Sequence, residues 1–179
     1  MEITIMPKVS KGQISKDEIK VIELLERFGR DSIRDIAKKS NFSIQKVRRI
    51  IKNLEENKTI WGYSAVIDEN AKPLKHFIVF VRRSHEPFDK VFLQEVFSEK
   101  IDNHPAGLVK IENIYLAHGI ADWIFTMYAP DTISVKKFCQ LAFHRFHKYV
   151  KDYTITEVLF PIRKQGFKNP EITKLAEFF

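Results

Sequence analysis

The stretch Ser43-Ile44-Gln45-Lys46-Val47-Arg48-Arg49-Ile50-Ile51-Lys52-Asn53-Leu54-Glu55-Glu56 decides how the rest of the chain reads. Ser43 is a short side-chain acceptor of the kind that starts a helix. At about 100° per residue, Ile44, Val47, Ile50, Ile51 and Leu54 fall in one apolar arc centred near Val47. Gln45, Arg49 and Lys52 point the opposite way, Lys46 and Arg48 lie on the flanks, and the acids Glu55 and Glu56 stand at the far end. One face is therefore core and the other cationic, with the cations mainly in the first two turns. A helix that enters a major groove needs this distribution, because its early residues reach base edges while neighbouring Lys and Arg hold phosphates. Arg48 or Arg49 suits a bidentate contact with guanine, and Gln45 suits adenine. A basic face on an isolated helix is usually just a solvated face, so the decision rests on what surrounds it.

Upstream, Ser15 followed by Glu18 makes a capping box, and Ile19, Val21, Ile22, Leu24 and Leu25 recur at helical spacing. Gly29 ends that helix by allowing a left-handed turn. A second helix starts at Asp31 or Ser32, with Asp35 in its first turn and Ile33, Ile36 and Ala37 on one face. It stops near Ser40-Asn41, where Asn tolerates a positive φ. Two helices joined by a turn of about three or four residues, the second cationic, form a helix-turn-helix pattern. Ile60-Trp61-Gly62-Tyr63 and Ala65-Val66-Ile67 read as short strands of a wing, and Asp68 to Lys75, with Asn70 and Pro73, reads as a linker.

Downstream the pattern alternates. Phe77 to Val81 suits a buried strand. Pro87 to Lys100 is helical, and His104-Pro105 breaks it. Leu108 to Ala117 and Trp123 to Tyr128 are strands joined at His118-Gly119. Asp131-Thr132 opens a helix to about Tyr149, with Val135, Phe138, Ala142, Phe146 and Tyr149 as its core stripe, and Thr154 to Ile162 is the last strand. The order β-α-β-β-α-β is the ferredoxin-like arrangement, whose antiparallel sheet carries helices on one face and leaves the other open to a partner. Asn169 to Phe179 reads as a short helix ending in two exposed phenylalanines. The expected organisation is α+β: an arm over 1–14, a winged helix-turn-helix over 15–67, a linker over 68–75, a ferredoxin-like domain over 76–165 and a C-terminal extension over 166–179.

Charge follows the same division. The chain of 179 residues has a formal net charge of +7. Residues 1–67 hold 14 Lys and Arg against 9 Asp and Glu, so the excess sits mainly in the shorter, N-terminal part. No apolar run is long enough to cross a membrane, and the first residues make a poor signal peptide. With a single cysteine, Cys139, neither an internal disulfide nor a cysteine zinc knuckle is available. A cytoplasmic protein is expected.

Other groups carry candidate chemistry. His118, Gly119 and Asp122 suit an effector pocket, with backbone N–H groups and a carboxylate for the charged ends of an amino acid; the alternative is a turn glycine and a capping Asp. His144 and His147 have metal-sharing spacing but no evident third ligand, so no metal is expected. Cys139 sits by the apolar stripe without a His-Asp partner arrangement, and reads as core.

Over about residues 15 to 165 the chain resembles the leucine-responsive regulatory protein/AsnC family of transcription regulators. The resemblance is carried by Glu18, Val21, Ile22 and Leu25; by Gly29-Arg30; by Ile36-Ala37; by the quoted stretch leading into Ile60-Trp61-Gly62-Tyr63-Ser64-Ala65; and by Gly119-Ile120-Ala121-Asp122 between two strands. The family's glycine between the second and third helices is Asn41 here, and its glycine after the third helix falls at Lys58, with Asn57 a candidate for that turn. Its glycine after the linker is missing near Lys72 to Lys75. The resemblance implies dimers, or assemblies of dimers, on pseudo-palindromic double-stranded DNA, and in many members an amino-acid effector near the loop matched by Gly119 to Asp122. Ser43, Gln45, Lys46, Arg48, Arg49 and Lys52 are the expected DNA contacts, His118, Gly119 and Asp122 the expected effector contacts. No cofactor and no catalytic activity are expected. An alternative reading is enzymatic: Asn103-His104-Pro105 followed by Trp123-Ile124-Phe125-Thr126 resembles the signature of siroheme decarboxylases, with His104 and His118 as candidate acids. A cationic third helix is not required by such an enzyme, and its Arg and Tyr pattern is not found between Glu112 and His118.

Overall fold

The computed structural model describes residues 14–68, 71–96 and 109–179, so most of the expected N-terminal arm lies outside the described residues. The chain divides into two compact units, Met1–Ala65 and Val66–Phe179.

The first unit holds α1 (Lys16–Arg27), α2 (Ile33–Ser40) and α3 (Ile44–Glu56). Their starts are fixed locally. The Ser15 hydroxyl accepts the Glu18 N–H at 3.2 Å while the Glu18 carboxylate accepts the Ser15 N–H at 2.8 Å, and Ser32 and Asp35 repeat the reciprocal pair. The stops are more informative. Asn41 adopts the left-handed conformation (φ 59°, ψ 40°), its N–H bonded to the Lys38 carbonyl at 3.3 Å and the Phe42 N–H to the Ala37 carbonyl at 3.0 Å. α3 ends the same way: Lys58 (φ 61°) donates to Glu55 O at 3.1 Å and Thr59 to Leu54 O at 2.9 Å. Both are Schellman closures, which satisfy otherwise orphaned carbonyls and normally use glycine. Lys58, and not Asn57 (φ −84°), takes the turn, while the Asn57 side chain accepts the Thr59 N–H at 3.0 Å.

Gly29 corrects an expectation. α1 ends at Phe28 (φ −132°, ψ 47°) without a left-handed residue, and the glycine serves a close approach: a Cβ there would lie 3.3 Å from the Leu25 carbonyl oxygen. The three helices close over Val21, Ile36, Ala37, Val47, Ile50 and Leu54, with Phe28, Phe42, Ile51 and Ile60 packed around them. Ile44, placed in the apolar arc by its spacing, remains exposed. The wing strands are not formed. Residues 60–68 belong to no strand, and the first of them are tied back to the end of α3, by Ile60 N–H to Leu54 O (2.9 Å), Trp61 Nε1–H to Lys58 O (2.8 Å) and Tyr63 Oη–H to Glu55 Oε1 (2.9 Å). β-branched and aromatic content makes a strand only where a ladder partner exists.

The second unit contains β1 (Lys75–Arg83), α4 (Lys90–Val96), β2 (Lys110–Leu116), β3 (Trp123–Ala129), α5 (Thr132–Arg145) and β4 (Val150–Glu157), followed by a small hairpin of β5 (Arg163–Lys164) and β6 (Phe167–Lys168) and a 3-10 helix (Ile172–Phe178). The strand order is β2-β3-β1-β4, every pair antiparallel. This is an α+β, ferredoxin-like sheet. Period-2 alternation along β1 sends Phe77, Val79 and Val81 to the core with Met127, Ala129, Val135, Phe138, Cys139 and Phe143. His76, Ile78, Phe80 and Arg82 point to the opposite, open face. In register beside them are Tyr128, Thr126 and Ile124 of β3 and Thr156, Thr154 and Asp152 of β4.

Three boundaries differ from expectation. α4 begins at Lys90, where Asp89 Oδ1 accepts the Phe92 N–H at 2.8 Å, and not at Pro87; the expected remainder of that helix and the His104-Pro105 break lie outside the described residues. α5 stops at Arg145, so Phe143 and Cys139 belong to its buried stripe while Phe146 and Tyr149 follow in a turn. β4 starts at Val150 and ends at Glu157, earlier at both ends than Thr154 to Ile162, because Asp152 pairs with Arg82 across the sheet (Nη2 to Oδ2, 2.6 Å).

Candidate nucleic-acid interface

α3 presents Gln45, Arg48 and Arg49 as exposed side chains that form no ion pair with any described residue. The helix has no acid in its first turn, unlike α1 and α2, whose first turns hold their own capping carboxylates. Ser43, the N-cap, accepts the Lys46 N–H at 3.2 Å. Lys52 is exposed and lies 3.6 Å from Glu56 on the same helix, a weak i,i+4 pair.

Lys46 behaves differently. Its ammonium lies 2.7 Å from Asp17 of α1 and 3.8 Å from the centre of the Phe42 ring, whose other neighbour is Lys20 at 5.4 Å. Lys39 is used similarly, paired with Asp31 and 3.4 Å above the Phe28 ring. Two of the cations that look alike in sequence thus fasten helices together, leaving a narrower cationic strip of arginines.

In the second unit, the loop between β2 and β3 places the three expected effector residues close in sequence but in unequal environments. Gly119 (φ 141°) stands in open space, and His118 is exposed. Asp122 is half-buried and works for the sheet: its Oδ2 accepts the Arg83 N–H at 2.8 Å, its N–H donates to Val81 O at 2.9 Å and its carbonyl accepts the Ala117 N–H at 2.8 Å. Arg83 in turn lays its guanidinium 4.4 Å over the Phe88 ring. Sequence reasoning missed Arg83, since nothing local links it to a loop 39 residues away.

A second group went unread. On the open face, Glu112 accepts from Thr126 and Tyr128 hydroxyls (both 3.3 Å) and lies 3.5 Å from His76 Nε2 and 3.9 Å from Lys164 Nζ. Lys164 also bonds the Tyr128 hydroxyl, and His76 stacks on the Tyr128 ring at 4.8 Å. A register shift between Ile111 and Asn113 turns Asn113 to this side as well, next to Glu112.

The remaining candidates resolve plainly. Cys139 is fully buried, and burial pushes its thiol up to about 12, so it is a core thiol. His147 Nδ1 lies 3.0 Å from the His144 carbonyl, and no group of three potential metal-ligating side chains occurs among the described residues. Asn103-His104-Pro105 lies outside the described residues. Among the described residues, no helix is long and apolar enough to cross a membrane.

Comparison with known proteins adds to this geometry. Residues 18–60 match the family described as winged helix-turn-helix DNA-binding, and no curated protein matches the chain. Three solved structures are similar over most of both chains. A transcriptional regulator from Neisseria meningitidis, solved as its L-Met complex, aligns with TM-score 0.63 at 19% identity over 92% of this chain and 99% of that one. LrpC of B. subtilis gives 0.60 at 20% over 85% and 99%. An AsnC family transcriptional regulator from Agrobacterium tumefaciens gives 0.62 at 20% over 84% and 93%. The chain therefore has the two-unit fold of AsnC- and Lrp-type transcriptional regulators, a helix-turn-helix followed by a ferredoxin-like sheet.

Proposed function

We propose that this chain is a sequence-specific, double-stranded-DNA-binding transcription regulator, acting in the cytoplasm as a homodimer or an assembly of dimers, and not an enzyme. The observation that carries the reading is the outward strip Gln45, Arg48 and Arg49 on α3, exposed and unpaired, in a helix-turn-helix that matches a DNA-binding family. Arginine at the start of a major-groove helix reads guanine and glutamine reads adenine, while Ser43 and Lys52 sit where backbone phosphates pass. Lys46 holds α3 to α1 and so sets the angle at which that strip is offered. A two-fold pair places two such helices in successive major grooves, about 34–36 Å apart. The open sheet face of the second unit is the surface on which the pair forms.

An amino acid is the proposed effector, bound by the loop of His118, Gly119 and Asp122. Support comes from the open space around Gly119 and from the N. meningitidis regulator, solved with L-Met. The test is selection of bound duplexes from a random pool, with and without each amino acid, followed by competition titration. Preference for the selected site is expected to exceed random duplex by roughly a thousandfold or more. Equal protection of every sequence rejects the reading.

A further inference from the structure

The C-terminal extension is a folded segment in which no side chain is fully buried. Phe160 and Phe178 rings meet at 5.7 Å, Asn169 Nδ2 donates to Pro161 O at 2.8 Å, and the β5–β6 hairpin closes through Gln165 (φ 46°) and Gly166 (φ 84°). Yet the 3-10 helix 172–178 contributes no buried residue, and Leu159 (71%), Ile162, Phe167, Phe178 and Phe179 (102%) are exposed. The half-buried Lys164 ties the segment to the sheet, held by Tyr128 and Glu112 at one end of the open face.

We infer that this extension is the clasp of the homodimer, its exposed phenylalanines and aliphatics covering the open sheet face of a second copy of the chain; the inference rests on the dimeric reading above. Three observations select that occupant. First, apolar side chains occur on both surfaces: Leu159, Phe178 and Phe179 on the extension, and Tyr115 with the half-buried Ile78, Phe80 and Ile124 among the threonines of the sheet face. Second, most of the charge on the face is paired: Arg82 with Asp152 at one end and Lys164 with Glu112 at the other, while Lys110 stands exposed in register with Tyr128. Third, area favours it. Four strands of about seven paired residues cover roughly 20 by 23 Å, about 450 Å² in projection, a small footprint for an interface that buries roughly 800 Å² of accessible surface per partner. The extension supplies the missing contact, and a two-fold axis uses it twice.

Sedimentation equilibrium of the full chain tests this with two tail variants, Phe178→Ser/Phe179→Ser and Leu159→Ser/Phe179→Ser, and a control, Ile133→Ser, on the exposed side of α5. The second variant spares the Phe160–Phe178 contact, and urea midpoints verify folding of each. The dimer dissociation constant is expected to rise at least about tenfold for both tail variants and to stay unchanged for the control. A monomeric wild type, tail variants that dimerise as the wild type does, or an equal rise in the Ile133 variant overturns the inference. So does loss of duplex affinity in the tail variants with no change in dimerisation. A wild type that binds no duplex but still loses its dimer in the tail variants rejects the DNA-binding reading and supports this one.

Discussion

Lys46→Ala separates the two uses of a lysine on a DNA-facing helix. The structure gives Lys46 two intramolecular partners, the Asp17 carboxylate at 2.7 Å and the Phe42 ring at 3.8 Å, with the lysine and aspartate side chains 34% and 50% exposed. At that exposure the ion pair contributes about 0.2–1 kcal/mol, and the cation–π contact about 0.5–1 kcal/mol. Their sum, discounted because both share one side chain, is about 1 kcal/mol. With a urea m-value of about 1 kcal/mol/M for a small unit, the unfolding midpoint falls by about 1 M. The double-mutant cycle with Asp17→Ala isolates the pair and is expected to return a coupling of about 0.2–1 kcal/mol. On DNA the same variant keeps its salt slope, because its charge is spent within the protein. Arg49→Ala does the reverse: stability stays within about 0.5 kcal/mol, while discrimination of the selected site drops by about 1–3 kcal/mol. An unchanged urea midpoint in Lys46→Ala, together with a salt slope lower by about 0.9, would mean that Lys46 holds a phosphate and would refute the reasoning.

The left-handed closures make a stabilising prediction. Lys58→Gly removes a Cβ penalty of about 1–2 kcal/mol and adds unfolded-chain entropy of about 0.5–1 kcal/mol, so a net gain of about 0.5–1 kcal/mol is expected in urea unfolding, with Asn41→Gly closer to neutral. A destabilised Lys58→Gly contradicts the Schellman assignment. Cys139 should react with a thiol reagent only as fast as the unit unfolds, and Cys139→Ser should cost about 1–3 kcal/mol through an unsatisfied buried hydroxyl; rapid labelling of the native protein disproves the burial. Acid should unfold the chain through its capping and paired carboxylates. Asp35 is held below its usual range first by the Ser32 hydroxyl, Asp152 by the Arg82 guanidinium and Glu157 by Lys75. Because these folded-state values are depressed, their stabilisation is full above the ordinary carboxylate range near pH 4 and is lost as pH falls through the lowered values. Thermal scans between neutral pH and pH 3 should show the fall, and Asp35→Asn should flatten it; a pH-independent midpoint contradicts the assignment.

The parts of the fold that were legible are those fixed by neighbours in sequence. Ser15 with Glu18, Ser32 with Asp35, and Asn41 at the turn each state their conformation within a few residues, and the alternation of Phe77, Val79 and Val81 names the buried face of β1. What escaped depends on partners far along the chain. Ile60 to Ile67 carries strand-forming residues, but composition does not say whether a ladder is available. Phe146 and Tyr149 continue the helical spacing of α5 with no glycine or proline to announce its end, while the charged start of β4 reads as a strand only once Arg82 is opposite Asp152. For the candidate site, the face of α3 was readable from 3.6-residue spacing. The division between Lys46, which clamps, and Arg48 and Arg49, which are presented, was not, because Asp17 lies in another helix.

The extra residue in β2 sets the phase of the whole edge strand. Ahead of it Ile111 faces the core, and beyond it Ile114 does so again, with both Glu112 and Asn113 turned outward between them. Deleting either one would restore unbroken pairing and remove a polar group, yet keep the two flanking isoleucines on their side; deleting Tyr115 would instead turn Leu116 over to the open face. Length changes in this strand thus keep the facing pattern at one position and invert it a few residues later, an asymmetry that a deletion series along 111–116 would display directly.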